Sequence, residues 1–354
     1  MNDNQNQFLV SLINELGPSG HEFKVQKIWK TEVSKFCKDV QVDPHGNLTA
    51  TLNPDKDFSI MIVGHADEIG LIVNYIDDRG FLYFMNIGGV DQTMLGAHKA
   101  RIMTKKGIVE GIFGQKSLHH EDSQTRKIPK RHEVYIDIGA KNKKEAEKLV
   151  SIGDPVVWGE NYIDLQGKNA AARCFDNRIG IYIVAEVLRK LSGKKFNTKV
   201  YGVSSVQEET GVWGAGNIAF SLKPDLAIAF DVCPSTDIPG TSKEQFGDLQ
   251  LGGGPIIRRG VIAHHKIADL LIKTAASKKI KVQIDVENGR FGTDSDPISK
   301  SRGGVAVGGV EIPTRYLHSS AEVLNHDDVD NCIDLICEFI LSLEKNKDLL
   351  KYDL

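Results

Sequence analysis

The chain has 354 residues, of which 41% are hydrophobic and 26% charged, and these values are typical of a globular protein with a sizeable buried core. They exclude intrinsic disorder and a collagen-like fibre. The 44 Lys and Arg against 47 Asp and Glu leave a net charge of -3, which argues against a dedicated nucleic-acid-binding protein, because such proteins usually carry a strong basic excess.

The first seventy residues are predicted to form two helices followed by strands. Apolar residues recur at helical spacing over residues 8–16 and stop at Gly17-Pro18, and a second amphipathic run covers residues 23–36. Two strands are expected on either side of the turn at residues 43–47. The β-branched run at residues 59–63 is typical of a buried strand in a mixed or parallel sheet.

The segment from 70 to 167 has a different pattern, with many short strands and Gly-rich turns. Only one helix is predicted in it, at residues 141–150, and six runs have strand character: residues 71–75, 81–87, 100–104, 107–113, 134–138 and 155–158. This density indicates a small β-barrel or sandwich. We therefore expect a catalytic domain made of residues 1–69 and 168–354, interrupted by a β-rich domain at residues 70–167.

After residue 167, helices and strands alternate to the end of the chain. Helices are predicted at residues 176–191, 215–222, 263–276 and 327–343, and strands at residues 198–206, 226–231, 281–286 and 305–309. Alternation of this kind predicts an α/β fold in which helices cover both faces of a mixed sheet.

Nothing in the sequence indicates export, a membrane or nucleic acid. The polar N-terminus lacks a basic n-region, and no uncharged apolar run approaches the ~18 residues that a membrane span needs. The five cysteines are scattered and form no CxxC pair, so we expect reduced thiols in a cytoplasmic protein. The basic stretch at residues 116–132 is predicted to be a loop without the interleaved aromatic residues that favour nucleic-acid binding.

The sequence Gly-His-Ala-Asp-Glu follows the predicted strand that ends at Val63. In extended chain, residues two apart point to the same side, so His65 and Asp67 can act together. The imidazole would bind a metal ion while the carboxylate fixes its tautomer through the other ring nitrogen. A structural histidine beside a solvated aspartate is the alternative.

Two adjacent glutamates, Glu208 and Glu209, follow the next predicted strand of the α/β region. They are costly to bury unless something cationic compensates them. Neighbouring side chains diverge, so one can bind a metal ion while the other faces a bound water as general base. A solvent-facing acidic turn would explain the same residues.

Three further residues fit the same chemistry. Asp176 begins a predicted helix, where an aspartate also serves as an N-cap. Asp231 ends an apolar strand, and a buried carboxylate there needs a partner. His318, in Tyr-Leu-His-Ser-Ser, would by itself be taken as structural.

Together these residues supply nitrogen and oxygen ligands that suit zinc, cobalt or manganese, and the absence of cysteine favours a catalytic over a structural site. Two metal ions about 3.5–4 Å apart activate a nucleophile and polarise a carbonyl at the same time. The set therefore indicates metal-assisted hydrolysis.

The order of the motifs resembles the glutamyl/lysyl/deblocking aminopeptidases that assemble as tetrahedral particles. The resemblance covers nearly the whole chain and rests on GPSGHE (17–22), GHADEIG (64–70), FDNRIG (175–180), QEETG (207–211), FDV (230–232), GTD (292–294) and IPTRYLHSSAE (312–322). It implies a zinc-peptidase-like catalytic domain with an inserted PDZ-like β domain. It also implies two divalent metal ions, zinc or cobalt, peptide substrates, and a homo-oligomer in which dimers build a dodecamer.

The resemblance also implies a role for each matching residue. His65 and Glu209 would each serve one or the other metal ion, with Asp231 and His318 completing the two sets and Asp176 bridging them. Glu208 would be the general acid/base, and Asp67 the partner of His65.

Two other hydrolase classes were weighed against an aminopeptidase. A related metal-dependent deacylase or carboxypeptidase would not require the free α-amine of a peptide. A glycoside hydrolase needs two carboxylates about 5–9.5 Å apart on either side of a sugar ring, whereas Glu208 and Glu209 are adjacent and diverge. The sequence therefore favours the aminopeptidase.

Overall fold

The computed structural model describes residues 3–117, 119, 128–343 and 349–350. Within them, the helices are α1 (Asp3–Asn14), α2 (Phe23–Val33), α3 (Lys143–Leu149), α4 (Phe175–Leu191), α5 (Trp213–Leu222), α6 (Lys243–Phe246), α7 (His265–Lys278), α8 (Ser295–Ser299) and α9 (His326–Ser342). The strands are β1 (Asp39–Val42), β2 (Leu48–Leu52), β3 (Ser59–His65), β4 (Gly70–Ile76), β5 (Leu82–Ile87), β6 (Lys99–Thr104), β7 (Gly107–Gly114), β8 (Tyr135–Asp137), β9 (Pro155–Val157), β10 (Ile163–Asp164), β11 (Asn169–Ala172), β12 (Lys199–Ser205), β13 (Leu226–Pro234), β14 (Ile256–Gly260), β15 (Gln283–Glu287), β16 (Ala306–Thr314) and β17 (Glu322–Asn325).

Eight strands form one mixed sheet in the order β1-β2-β12-β3-β13-β16-β14-β15. The four central strands, β12, β3, β13 and β16, run parallel to one another. Every residue of β3 is buried, as expected of a strand covered on both faces. Because parallel strands end at the same edge, the segments that follow these four strands lie close together.

Helices cover both faces of this sheet, as the sequence predicts. Side chains alternate along β3, so Ile60 and Ile62 join the larger core with α1, α2, α4, α7 and α9, while Met61 and Val63 pack on the opposite face with α5 and α8. The expected α/β fold is therefore confirmed.

Strands β4 to β9 close into a six-stranded antiparallel barrel in the order β4-β5-β8-β7-β6-β9. Its interior is a separate apolar core that includes Leu71, Phe84, Phe113 and Ile136. The predicted β-rich insertion is therefore present as a closed barrel, and all six strand predictions between 70 and 167 correspond to its strands. The exact boundaries of the two domains stay a prediction.

Several elements were not predicted from the sequence. They include β14 and a three-stranded antiparallel sheet, β10-β11-β17, beside the main sheet. Most of the basic stretch at 116–132 lies outside the described residues, at 118 and 120–127. None of the described helices has the length and apolar character required to cross a membrane.

Candidate active site

The predicted site residues converge at the carboxyl edge of the central strands. His65 is the last residue of β3, Glu208 and Glu209 follow β12, and Asp231 lies near the end of β13. His65 Nε2 is 3.7 Å from Glu208 Oε2 and 3.9 Å from Asp231 Oδ1. His65 and Asp231 are buried, at 1% and 6% exposed. The topology of the sheet thus brings His65 together with residues that are more than 140 positions away in the sequence.

Asp176, at the start of α4, lies between the two histidines. Its Oδ1 is 3.2 Å from His65 Nε2, and its Oδ2 is 3.1 Å from His318 Nε2. His318 comes from the segment between β16 and β17, and its Nε2 is also 3.6 Å from Glu209 Oε2. One carboxylate therefore offers an oxygen to each histidine, an arrangement suited to a ligand shared by two cations.

Among the described residues, potential ligand atoms form two groups. Within each group the atoms lie within 4.8 Å of one another, and both groups include His65. One group adds Glu208 and Asp231, and the other adds Asp176 and Glu209. Four of the five predicted ligands thus belong to these groups, together with Glu208. The fifth, His318, belongs to neither group and joins them through its contacts with Asp176 and Glu209.

Asp67 connects β3 to the loop after β12. Its Oδ1 accepts a hydrogen bond from Glu208 N at 3.1 Å, and its Oδ2 accepts one from Glu209 N at 3.0 Å. Its Oδ1 is also 3.2 Å from His65 Nδ1, a distance typical of an ion pair, although the angle at the ring nitrogen departs from hydrogen-bond geometry. Asp67 is fully buried and holds the backbone of both glutamates beside His65.

The charges of neighbouring side chains shift the pKa values of the residues in the site. Burial alone would lower the pKa of His65, but the carboxylates of Asp67, Glu208 and Asp176 outweigh burial and raise it well above its usual value. For Asp176, hydrogen bonds from His318 and His65 outweigh burial and lower the pKa. Burial would raise the pKa of Asp67, but the charge of His65 and the hydrogen bonds from two backbone N–H groups outweigh burial and lower it.

The remaining carboxylates of the site have too little positive charge near them to offset their burial. Burial, reinforced by Asp294, Asp176 and Asp67 and opposed by His65, raises the pKa of Glu208 to about 8. Burial and the charge of Asp176 also raise the pKa of Glu209 and of Asp231 well above their usual values. Divalent cations would supply the missing charge.

The donor set fits such cations. In the part of the chain that the structure describes, Glu209 Oε1 is buried without a hydrogen-bond partner, as expected of an oxygen that binds a metal ion. Imidazole nitrogens and carboxylate oxygens without thiolates are ligands of catalytic zinc or cobalt sites.

Comparison with known proteins decides the family. Residues 46–335 match the family described as M42 glutamyl aminopeptidase. The chain belongs to this family. A putative aminopeptidase of Acetivibrio thermocellus is 36% identical over 330 residues, which cover 92% of this chain and 95% of that protein. As a member of the family, the protein is a metal-dependent aminopeptidase that hydrolyses peptide bonds.

Solved structures agree with this assignment. The TET aminopeptidase of a marine sediment archaeon of the Thaumarchaeota superposes with a TM-score of 0.92 at 31% identity, covering 97% of this chain and 98% of that chain. The TET1 peptidase of Pyrococcus horikoshii, described as able to assemble into a tetrahedron or a large octahedral shell, superposes with a TM-score of 0.85 at 30% identity, covering 95% and 99%. The predicted resemblance is therefore confirmed.

A cavity of about 400 Å³ opens on the site of this aminopeptidase. Its wall includes the ligand candidates Asp176, Glu209, Asp231 and His318 and the neighbouring Glu208. It also includes a second set of residues, among them Cys233, Arg258, Phe291, Leu317 and Glu311. Its volume lies within the range of small-ligand sites and suits the end of a peptide.

A buried ion-pair network behind the site was missed in the sequence. Glu68 Oε2 accepts from Arg173 Nε at 2.8 Å, and Glu68 Oε1 accepts from Arg178 Nη2 at 3.0 Å. All three side chains are at most 3% exposed. The positions of two of these residues in the sequence could have indicated the network, because Glu68 directly follows Asp67 and Arg178 lies two residues after Asp176. The network ties the turn after β3 to the start of α4.

Proposed function

We propose that the enzyme holds two divalent metal ions, zinc or cobalt, in the cluster around Asp176. His65 and Asp231 would hold one ion, Glu209 and His318 would hold the other, and Asp176 would contribute one oxygen to each. The contacts of Asp176 carry this proposal, since its two oxygens lie 3.2 and 3.1 Å from the Nε2 atoms of different histidines.

We propose Glu208 as the general base. When bound, two divalent cations activate a water molecule and polarise the scissile carbonyl. Glu208 is 9% exposed, lines the cavity, and has its backbone held by Asp67. Its carboxylate accepts a proton from the attacking water and then donates it to the departing amine. Asp67 keeps His65 in the orientation that a ligand requires.

We propose short peptides as substrates, cleaved after their N-terminal residue. A panel of aminoacyl anilides, assayed on metal-depleted protein with zinc, cobalt or manganese restored, tests the proposal. We expect no hydrolysis after exhaustive chelation, and recovery with zinc or cobalt. Full turnover without metal, verified by metal analysis, would exclude the proposed site.

The same panel separates the aminopeptidase from the deacylase or carboxypeptidase alternative. An aminopeptidase loses substrates whose α-amine is acetylated, unless it is a deblocking variant. Preference for N-acylated substrates or for C-terminal residues would favour the alternative.

We propose that residues 70–167 form the assembly domain, inserted between the catalytic segments 1–69 and 168–354, and that dimers build a dodecamer. Tyr75, Met85, Ile108 and Ile112 of the barrel are each between 46% and 49% exposed, which offers apolar surface to another subunit. The assembly described for the P. horikoshii relative supports a closed particle. Light scattering at micromolar concentration should show a species far larger than the 39.0 kDa monomer.

We propose the cytoplasm as its compartment. All five cysteines are free and buried, which suits a reducing environment. Fractionation of cells that express the protein tests this proposal.

A further inference from the structure

The small sheet β10-β11-β17 lies between two segments that carry metal-ligand candidates. Its strands β11 and β17 are antiparallel, and Ala172 pairs with Glu322. Asp176 follows four residues after Ala172, and His318 precedes Glu322 by four residues. The pairing of these two strands therefore aligns the start of α4 with the loop after β16.

The side chain of Glu322 connects these two segments directly. Its side chain is buried, at 1% exposed, and both carboxylate oxygens accept backbone hydrogen bonds. Glu322 Oε2 accepts from Asp176 N at 2.9 Å, and Glu322 Oε1 accepts from His318 N at 3.1 Å. With both oxygens engaged, the residue contacts the backbones of two ligand candidates and belongs to neither group of clustered ligand atoms.

The backbone of His318 requires such support. Its φ is +59°, in the left-handed region that a non-glycine residue rarely adopts, and Tyr316 in the same loop has a φ of +62°. Strained conformations of this kind persist only where the surrounding structure holds them. The hydrogen bond from His318 N to Glu322 opposes relaxation of the loop away from Asp176.

We propose that Glu322 is a positioning residue that fixes Asp176 and His318 relative to each other and thereby sets the affinity of the metal ion that His318 binds. The inference rests on the proposed dinuclear function. Hydrogen bonds that orient metal ligands typically contribute a factor of about 10–100 in metal affinity. Glu322 thus has the same kind of role as Asp67, whose carboxylate holds the backbones of Glu208 and Glu209.

Glu322→Gln tests the proposal because it preserves size but replaces one oxygen by an amide NH₂. That group cannot accept from a backbone N–H, so one of the two backbone contacts is lost. Glu287→Gln is the matched control. Glu287 is 3% exposed and accepts from Ala263 N at 3.1 Å and Gly289 N at 2.6 Å, and it belongs to neither ligand group.

Metal-free wild type and both variants are titrated with Zn²⁺ in competition with a chromophoric chelator, and their unfolding midpoints are measured without metal. We expect both variants to lose some stability, since each loses buried hydrogen bonds. Only E322Q should bind one of its two zinc ions, the one assigned to His318, about 10–100-fold less tightly than wild type. Its activity deficit should shrink as zinc is raised, a recovery that a purely structural defect would not show.

Two zinc ions bound by E322Q with wild-type affinity would overturn the inference, whatever its unfolding midpoint. An equal loss of zinc affinity in E287Q would overturn it too, because the effect would then be general destabilisation. If circular dichroism shows that E322Q does not fold, Glu322→Asp takes its place, since the shorter carboxylate cannot reach both N–H groups. Wild type that binds no zinc would instead refute the proposed dinuclear site.

Discussion

The barrel and the α/β body bury different kinds of side chain. Among the described residues from 69 to 172, no polar or charged side chain is buried, and the barrel core consists of apolar residues such as Phe84 and Phe113. The body buries many ionisable groups: Glu22, His65, Asp67, Glu68, Arg173, Asp176, Arg178, Glu186, Glu208, Asp231, Glu287, Asp294, Asp296, Glu311, Glu322 and Asp328.

The body and the barrel therefore need different interactions to be stable. A buried charge is stable only with partners, so the body needs networks such as Glu68 with its two arginines. That network connects the turn after β3 to the start of α4, beside the candidate site residues Asp67 and Asp176. The core of the barrel contains no buried ionisable side chain among the described residues, and apolar burial and strand pairing stabilise it. Changes in the body should therefore alter chemistry, metal binding and pH response, whereas changes in the barrel core should alter stability alone.

The largest effect is expected at the glutamate pair of the body. Glu208→Gln cannot accept the proton of water, so kcat should fall about 10²–10⁴-fold while the metal content stays unchanged. Glu209→Gln replaces an anionic ligand by a neutral one, so its deficit should recover partly at high metal concentration. Metal analysis together with kcat for both variants checks the assignment. Loss of metal from Glu208→Gln, with two ions retained by an inactive Glu209→Gln, would reverse the two roles.

The buried network behind the site should be next in size. Glu68→Gln leaves Arg173 and Arg178 without their counter-charge, so the free energy of unfolding should fall by about 3–5 kcal/mol. The matched barrel variant is Glu147→Gln, whose carboxylate is half exposed and lies 4.0 Å from Lys143 Nζ. That substitution should change stability by less than about 0.5 kcal/mol. Denaturant unfolding measures both, and equal losses would remove the contrast between body and barrel.

A core substitution in the barrel should affect stability without affecting the site. The rings of Phe84 and Phe113 pack edge to face with centroids 5.7 Å apart. Phe113→Ala should cost about 3–5 kcal/mol of unfolding free energy through the cavity that it leaves. The Zn²⁺ affinity of the folded protein should match wild type. A zinc affinity that falls together with stability would show that the barrel supports the metal site.

The smallest expected effect is a pH dependence at Asp328, at the start of α9. Burial raises its pKa to about 6, although Gly252 N and Gly254 N donate to it and oppose the rise. Because the folded pKa exceeds the unfolded one, ionised Asp328 destabilises the fold at neutral pH. The penalty decreases as the pH falls below about 6 and is lost only below the ordinary value of 3.8.

Asp328→Asn isolates this contribution. Measured on metal-free protein, its stability relative to wild type should be greatest near pH 7.5 and fall by about 2 kcal/mol by pH 4.5. The barrel variant Glu147→Gln should show no such trend. A difference between Asp328→Asn and wild type that does not change with pH would contradict the raised pKa.

The predicted helices and strands correspond closely to the observed ones where periodicity was strong. The six strands of the barrel, the alternation after residue 167 and the apolar strand β3 all follow from local patterns. Strand β14 was missed because its sequence, Ile256-Ile257-Arg258-Arg259-Gly260, follows a glycine-rich turn and contains two arginines. The amides of that turn face Asp328, as described above.

The sequence by itself determined the fold class and, through the order of its motifs, the family, and it predicted the set of candidate site residues. It could do so because strand periodicity and short motifs are local. Only the tertiary structure decided which atoms meet: the two oxygens of Asp176 against His65 and His318, and the carboxylate of Glu322 against the backbones of Asp176 and His318. Such contacts depend on the order of the strands in the sheet and on where four parallel strands end. The local sequence around a single residue does not determine either of these.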